Sequence, residues 1–250
     1  MRLELGKLFA LICGESDSIC DELDIIIITG RHSAGGLNFS QMPSYIRRFF
    51  ELSVNAFDEI VRAWMSELPI TNEIISFGKK IFTAVENIAG TGSAVELARR
   101  QEAEKAAGDW ADPNVKTVRA ASYKVWHEIN RLTGLLRFQP NEEGVYIAKC
   151  EPDHFVLPAF GPHFKERFGD TPWAIIDEKR CLSLLCLEGA EPVMSGLTVL
   201  NCPVLERPSD GKWEDLWRQY HKTINNESRY NPDLQKSFMP ARYWKYLPEK

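Results

Sequence analysis

The sequence lacks the cysteine spacings that hold zinc, redox or iron–sulfur centres. Its 250 residues contain six cysteines, at positions 13, 20, 150, 181, 186 and 202. No two of them form a C-x-x-C pair, and no three form the C-x-x-x-C-x-x-C triplet of a cluster-binding enzyme. We therefore predict reduced, buried thiols, and we exclude radical-SAM chemistry carried by this chain alone.

Long apolar runs are also missing, because no stretch approaches the ~20 residues that a bilayer span requires. The first residues, Met1 to Glu4, lack the basic patch and the apolar stretch of a signal peptide. We therefore expect a cytoplasmic protein with no membrane partner.

Standard catalytic motifs are absent too. The chain has no G-x-x-x-x-G-K-[ST] phosphate loop, no H-E-x-x-H zinc helix and no G-x-S-x-G nucleophile turn. The deaminase pair of H-x-E with P-C-x-x-C is missing as well. The spacing between His154 and His163 matches no standard pair of metal ligands. We therefore predict no metal and no cofactor.

The charge that is present is unevenly distributed. A net charge of −5 argues against a general nucleic-acid coat. Residues 113–180 nevertheless contain 10 Lys and Arg against 9 Asp and Glu, and residues 213–250 contain 7 against 5. The C-terminal part is therefore mildly basic and the remainder acidic, a distribution that can orient the protein on a polyanion.

Helical periodicity dominates the N-terminal part. Apolar residues recur every three or four positions over 45–68 and 72–89, which predicts two long helices. Residues 90–112 are typical of a connector with one short helix. The clearest helix is predicted at 113–133, with Asp112 as N-cap and Gly134 as the stop. We expect residues 1–110 to form a mainly helical region.

The period then changes to that of β-strands. The pattern predicts, in order, two strands, a short helix and two more strands, over 135–138, 145–150, 158–168, 173–176 and 181–187. A further strand is predicted at 197–200, followed by a helix capped by Ser209 or Asp210.

The predicted fold class is α+β. An N-terminal helical region precedes a small, mostly antiparallel sheet in the order strand-strand-helix-strand-strand, with packed helices and a docked C-terminal tail. The sheet and the tail are expected in a domain covering residues 111–250.

Residues 151–180 hold the densest set of titratable side chains. Asp153 and His154 follow a predicted strand, where a carboxylate can hold an imidazole in one tautomer for proton transfer. With Asp177 they are the candidate catalytic residues. The structural alternative is that His154 caps a turn and that Asp177 to Arg180 form an ordinary charged turn.

Residues 213–250 combine aromatic rings with seven Lys and Arg. Rings stack on bases and cations meet phosphates, so the segment is a candidate for single-strand recognition. Alternatively, the aromatic tail docks on the core and is held by arginine–carboxylate pairs. We favour docking, and a docked tail can also form one wall of a groove.

Several motifs resemble one bacterial family. They are Leu135-Leu136-Arg137-Phe138, Glu151-Pro152-Asp153-His154, Trp173-Ala174-Ile175-Ile176-Asp177-Glu178-Lys179-Arg180, Arg229-Tyr230-Asn231-Pro232 and Met239-Pro240-Ala241-Arg242-Tyr243-Trp244-Lys245-Tyr246-Leu247-Pro248-Glu249. The sequence is similar to a family, itself a domain of unknown function, described as DNA metabolism or DNA repair proteins. The resemblance covers about residues 113–250, is weaker over 43–110 and does not extend to 1–42.

The resemblance implies partners. The family's genes are commonly associated with a radical-SAM protein, and related domains occur beside uracil-DNA-glycosylase-like domains. DNA and a radical-SAM protein are therefore the expected partners of a DNA metabolism or repair component. On this hypothesis the nucleic-acid-binding residues are Arg167, Trp173, Arg180, Arg229, Arg242, Tyr243, Trp244 and Lys245.

Two other hypotheses stay open. The chain can itself be a hydrolase or glycosylase-like enzyme that uses Asp153, His154 and Asp177 as acid–base groups. It can also be a protein-interaction module that holds its partner through the aromatic tail. The residues do not decide whether the chain is an enzyme.

Overall fold

The computed structural model describes residues 4–14, 43–196 and 212–248. It contains two compact units, Met1–His127 with His154–Val156, and Glu128–Asp153 with Leu157–Lys250. The first unit is helical and the second contains a five-stranded sheet, so the predicted α+β class is confirmed. The predicted domain boundary at residues 110 and 111 stays a prediction.

The helices of the first unit pack their apolar faces around phenylalanine rings. They are α1 (Leu5–Cys13), α2 (Ser44–Leu52), α3 (Val54–Met65), α4 (Thr71–Glu86), α5 (Ser93–Ala107) and the first part of α6 (Pro113–Leu135). Phe9 lies at the centre, with its ring centroid 5.6 Å from that of Phe49 and 5.0 Å from that of Phe57. All three rings are fully buried, so their area contributes much of this unit's stability.

The single helix predicted over 45–68 is wrong. The chain forms α2 and α3 instead, because Ser53 adopts an extended conformation between them. Its hydroxyl accepts a hydrogen bond from the backbone N–H of Ala56 and donates one to Glu104. Ser53 is therefore an N-cap in the middle of an uninterrupted apolar pattern.

Two other helix predictions need correction. Residues 90–112 are not a connector, because α5 takes up 15 of them. Its buried residues, Ala103 and Ala107, are too small to give a clear hydrophobic period. Gly134 does not stop α6, which continues to Leu135. The predicted cap is present, since Asp112 accepts a hydrogen bond from the backbone N–H of Asn114 at 2.8 Å.

The sheet of the second unit has the order β1-β2-β3-β4-β5. Its strands are β1 (Gln139–Pro140), β2 (Tyr146–Cys150), β3 (Trp173–Asp177), β4 (Leu182–Cys186) and β5 (Val193–Gly196). Strands β2 and β3 are parallel and the other neighbours are antiparallel. The parallel pair needs a crossover, which contains a 3-10 turn (Leu157–Phe160) and α7 (Gly161–Phe168).

The first predicted hairpin is displaced. Residues 135–138 are not a strand, because the backbone N–H of Leu136 still bonds to the carbonyl of Leu132 in the helical pattern. Only Gln139 and Pro140 pair with β2. The predicted strand at 197–200 and the cap at Ser209 or Asp210 lie outside the described residues.

The C-terminal part is helical and ends in a docked tail. It forms α8 (Lys212–Ile224), a 3-10 turn (Glu227–Arg229), α9 (Pro232–Phe238) and a second 3-10 turn (Ala241–Tyr246). Tyr243 and Leu247 are only 2% and 4% exposed. The predicted docking of the tail is therefore confirmed. Within the described ranges, no helix is both long and apolar enough to cross a bilayer.

Two helical glycines give a matched test of the packing in the first unit. A Cβ on Gly78 in α4 would lie 2.6 Å from Cδ1 of buried Ile12 in α1, whereas one on Gly134 in α6 would meet no atom within 4 Å. We expect Gly78→Ala to destabilise the protein by about 1–3 kcal/mol, because overpacking a core forces its neighbours to shift.

The control variant, Gly134→Ala, should stabilise the protein by about 0.5–1 kcal/mol, since alanine lowers the entropy of the unfolded chain. Urea unfolding followed by circular dichroism measures both changes. Equal unfolding midpoints for the two variants would contradict this packing.

Candidate functional site

Aromatic rings around α7 build one wall of a pocket in the second unit. The ring centroid of Phe168 lies 4.8 Å from that of Phe138 and 5.4 Å from that of Tyr146. Phe138 also contacts buried Phe164 at 4.9 Å. Because each ring is fixed by its neighbours, the wall is formed before any ligand arrives.

This aromatic pocket has a volume of about 520 Å³. Its ring-bearing lining residues are Phe138, Tyr146, Phe168 and Trp217, and its cationic ones are Arg137 and Arg167. Such a volume lies within the range typical of small-molecule sites. The pocket therefore offers flat apolar surfaces together with positive charge.

Hydrogen-bonding groups complete the pocket. The amide of Gln139 donates to a carboxylate oxygen of Glu214 at 2.6 Å, and both residues line the pocket. The guanidinium carbon of Arg137 lies 5.3 Å from the ring centroid of Trp217, a cation–π distance. Arg167 is exposed and has no ion pair with any of the residues that the structure describes.

A second depression, the cationic groove, shares residues with the aromatic pocket. Arg137, Gln139, Glu214 and Pro248 line both. The groove has a volume of about 320 Å³ and adds, among others, Lys149, Arg218, Trp244 and Lys245. Its lining residues therefore include four cationic side chains and one carboxylate, that of Glu214.

The tail that borders this groove is held by a group of residues that we call the Glu128 cluster: Glu128, Asp153, Arg242 and Tyr243. A carboxylate oxygen of Glu128 accepts from the Tyr243 hydroxyl at 2.7 Å and from the backbone N–H of Asp153 at 2.8 Å. Arg242 contacts the same oxygen at 3.3 Å and pairs with the Asp153 carboxylate.

The electrostatics of the cluster favour a fixed arrangement. Burial, and next the hydrogen bond to Glu128, raise the pKa of Tyr243, so the phenol stays protonated and donates. Burial alone would lower the pKa of Arg242, but Tyr243 and the two carboxylates raise it overall. The carboxylate of Glu128 therefore favours both the protonated phenol of Tyr243 and the charged guanidinium of Arg242, whereas Arg242 partly opposes the raised pKa of Tyr243.

A buried ion pair holds the turn between β3 and β4. Asp177 has no exposed surface, and its carboxylate accepts from Arg180 at 2.8 Å. The Arg180 guanidinium also donates to the carbonyls of Pro152 and Asp153, at 3.1 and 3.0 Å. These bonds fix the turn against the segment that follows β2.

A comparison with known protein families identifies a match in the C-terminal part of the chain. The model of a family described as a domain of unknown function, DUF4130, matches residues 91–249, which is more than half of the sequence. This chain belongs to the DUF4130 family. No curated protein and no solved structure matches it. The resemblance to a domain of unknown function is thereby confirmed, whereas the link to DNA repair and to a radical-SAM enzyme stays a prediction.

The three predicted catalytic residues of this DUF4130 chain have separate surroundings. Asp153 is half-exposed and paired with Arg242, and Asp177 is buried against Arg180. His154 belongs to the first unit, where its Nδ1 lies 2.9 Å from the backbone carbonyl of Ser66. The ring nitrogen therefore donates to a main-chain oxygen, which is the structural role given above as the alternative.

Three of the eight predicted nucleic-acid-binding residues in the DUF4130 segment line one of the two depressions. Arg167 lines the aromatic pocket, and Trp244 and Lys245 line the cationic groove. Arg229 is exposed and lines neither depression.

The remaining four predicted nucleic-acid-binding residues are engaged in contacts that stabilise the fold. Arg180, Arg242 and Tyr243 take part in the ion pairs and hydrogen bonds described above. Trp173 is fully buried beside Phe164 and Phe168, so stacking on a base is not available to it.

Sequence reasoning missed most of the pocket. The sequence pattern predicts a strand for Arg137 and Phe138, and it does not mark Tyr146, Gln139, Glu214 or Trp217 as ligand contacts. One signal was present, since Arg137-Phe138-Gln139 places a cation, a ring and an amide side by side after a helix. It could not show which elements close around them.

Two tyrosines of the C-terminal part test the Glu128 cluster. We expect Tyr243→Phe to lower the free energy of unfolding by about 1–3 kcal/mol, because it removes a donor from a buried carboxylate. Tyr230→Phe is the control, since Tyr230 is 70% exposed, and its effect should stay within about 0.5 kcal/mol. Urea unfolding of both variants measures the difference, and a Tyr243→Phe variant as stable as the control would refute the assigned role.

Proposed function

We propose that this chain is a nucleic-acid-binding component of DNA metabolism or repair that acts together with a radical-SAM enzyme. The observation that carries the binding function is the continuity of the aromatic pocket and the cationic groove in the second unit. Membership in DUF4130 is compatible with this function and does not specify it.

The two depressions offer what a single strand requires. Unstacked bases bind to aromatic faces, and phosphates bind to Arg and Lys along a groove. Here the rings of Phe138, Phe168 and Trp217 line the pocket, and Arg167 lies exposed beside them. A duplex hides its base faces by stacking, so the proposal favours single-stranded or unpaired nucleotides.

The ion pairs in the groove do not prevent phosphate binding. Lys245 lies 2.8 Å from Glu151 and Lys149 lies 3.6 Å from Glu178, and all four side chains are at least one third exposed. Exposed pairs of this kind contribute at most about 1 kcal/mol, so a phosphate can replace the carboxylate at low cost.

The partner part of the proposal is supported by an exposed apolar surface. Leu216, Tyr220 and Ile224 follow each other at intervals of four residues on α8, and each is more than 50% exposed. Monomeric proteins rarely leave such a stripe in water. We therefore place the protein contact on α8, whereas the tail, which the sequence suggested for this role, is docked.

The geometry gives less support to a hydrolase or glycosylase-like enzyme. Asp177 has no exposed surface, and Asp153 is engaged by Arg242. A protein-interaction module without nucleic-acid binding is the second candidate, and the apolar stripe on α8 is the observation that favours it.

Fluorescence anisotropy with a labelled 20-nucleotide single strand and the matching duplex tests the binding function. The single strand should bind more tightly, with an affinity that falls as salt rises. Arg167→Gln should weaken single-strand binding and lower the salt slope by about 0.7, the value expected for one lost phosphate contact.

Arg100→Gln, a change of an exposed arginine on α5, is the matched control and should change neither quantity. Absence of salt-sensitive binding by the wild-type protein would refute the nucleic-acid function and leave the interaction module.

A substitution in the α8 stripe tests the partner contact. Tyr220→Glu should abolish co-elution with the purified radical-SAM partner protein, because it places a charge in an apolar interface. Lys222→Glu, on the same helix, makes the matched change outside the stripe and should leave co-elution intact. Loss of co-elution with both variants, or with neither, would contradict this placement.

A further inference from the structure

Three large aromatic side chains stand half-exposed on the first unit. Trp110, Tyr123 and Trp126 are 57%, 59% and 48% exposed. All three line one open depression of about 700 Å³, which we call the Trp126 face. Several aromatic rings exposed side by side indicate an interaction site more often than a surface without a binding role.

The rings are arranged by α6. Tyr123 and Trp126 are three residues apart on this helix and therefore share a face. Their rings are stacked, with centroids 5.9 Å apart and planes 27° apart. The Tyr123 hydroxyl lies 3.0 Å from a ring nitrogen of His127, which further fixes the pair.

Positive charge surrounds these rings. Arg62, Lys116 and Arg119 line the same depression, and Glu59 is the one carboxylate among the described residues that line it. Arg119 lies 3.1 Å from Glu59, and its guanidinium carbon lies 4.9 Å from the Trp110 ring centroid. Lys116 is exposed and pairs with no carboxylate of the described residues.

The polar groups beneath the rings are held in place. Arg62 donates to the hydroxyl of buried Ser122 at 2.9 Å. Burial raises the pKa of Glu59, and the neighbouring Arg119 partly opposes this shift. The two arginines are therefore held by carboxylates, Arg62 by Asp58 and Arg119 by Glu59.

This combination selects among ligand classes. A cationic ligand is disfavoured, because Arg119 already lies over Trp110 and the lining is positively charged. Arg62 and Arg119 already pair with Asp58 and Glu59. A purely apolar peptide would still leave the Lys116 ammonium desolvated without a partner. A single-stranded oligonucleotide satisfies both sets of groups, since its bases stack on rings and its phosphates meet Lys and Arg.

We propose that the Trp126 face is a second single-strand binding site, built by the first unit alone. Every residue that lines it belongs to that unit, so the site does not depend on the aromatic pocket or on the cationic groove. A base stacks on Tyr123 and Trp126, and its flanking phosphates bind Lys116 and Arg119.

The test is anisotropy with a labelled 15-nucleotide oligothymidine, combined with quenching of tryptophan fluorescence. Trp126→Ala should weaken binding about tenfold, within the range for loss of one stacked base. Tyr123→Phe keeps the ring and should bind within about twofold of wild type, whereas Tyr123→Ala should weaken binding about as much as Trp126→Ala.

Two controls accompany these variants. Leu97→Ala removes a side chain of α5 that is 57% exposed, and its affinity should match wild type. Circular dichroism checks that all variants stay folded, as expected for changes at exposed positions.

The outcomes separate this site from the pocket of the second unit. Weakened binding in Trp126→Ala with unchanged binding in Arg167→Gln supports this site and rejects the pocket. Wild-type affinity in both Trp126→Ala and Tyr123→Ala overturns the present proposal, whatever Arg167→Gln shows. If these variants bind DNA normally but lose co-elution with the radical-SAM protein, the face is a protein contact and the proposal is likewise wrong.

Discussion

The carboxylate of Glu128 receives hydrogen bonds from three sources, the main chain at Asp153, the phenol of Tyr243 and the guanidinium of Arg242. A buried carboxylate is costly unless its oxygens are satisfied, so these groups are required together and not separately. Through these hydrogen bonds, α6, the segment after β2 and the C-terminal tail all meet at the Glu128 carboxylate. Since the tail supplies Pro248 to both depressions, the shape of the candidate site depends on this carboxylate.

Charged residues in this protein therefore have two different roles, and the sequence alone does not distinguish them. Arg180 and Arg242 are paired with Asp177 and with the Glu128 cluster, so they stabilise the second unit. Arg167 lies on the rim of a ring-lined pocket without an ion pair among the described residues. Burial and pairing separate the two groups, and residue type alone does not.

The sequence predicted the parts of the fold that depend on local periodicity. Apolar spacing indicated the helix that begins at Pro113 and the strands at 173–177 and 182–186. The aromatic content of the C-terminal segment indicated the docked tail. Helix α5 was missed because Ala103 and Ala107 carry little hydrophobic signal. The break at Ser53 was missed because the apolar spacing continues across it.

The candidate site was less predictable for a different reason. The pocket joins residues near 137, 146, 167 and 217, which only the folded topology brings together. Trp173 illustrates the opposite error, since an aromatic residue beside charged ones was assigned to a surface and is fully buried in β3. Contacts between distant segments decide both cases, and a single sequence does not report them.

The bond between Glu128 and Tyr243 joins residues 115 positions apart. A growing polypeptide folds its N-terminal parts first, so the helices of the first unit can pack while the second unit is still being translated. Glu128 receives its phenol and guanidinium only after residues 242 and 243 have left the ribosome. Until then water can solvate the carboxylate, so its burial under the tail has to be among the last steps of folding during synthesis.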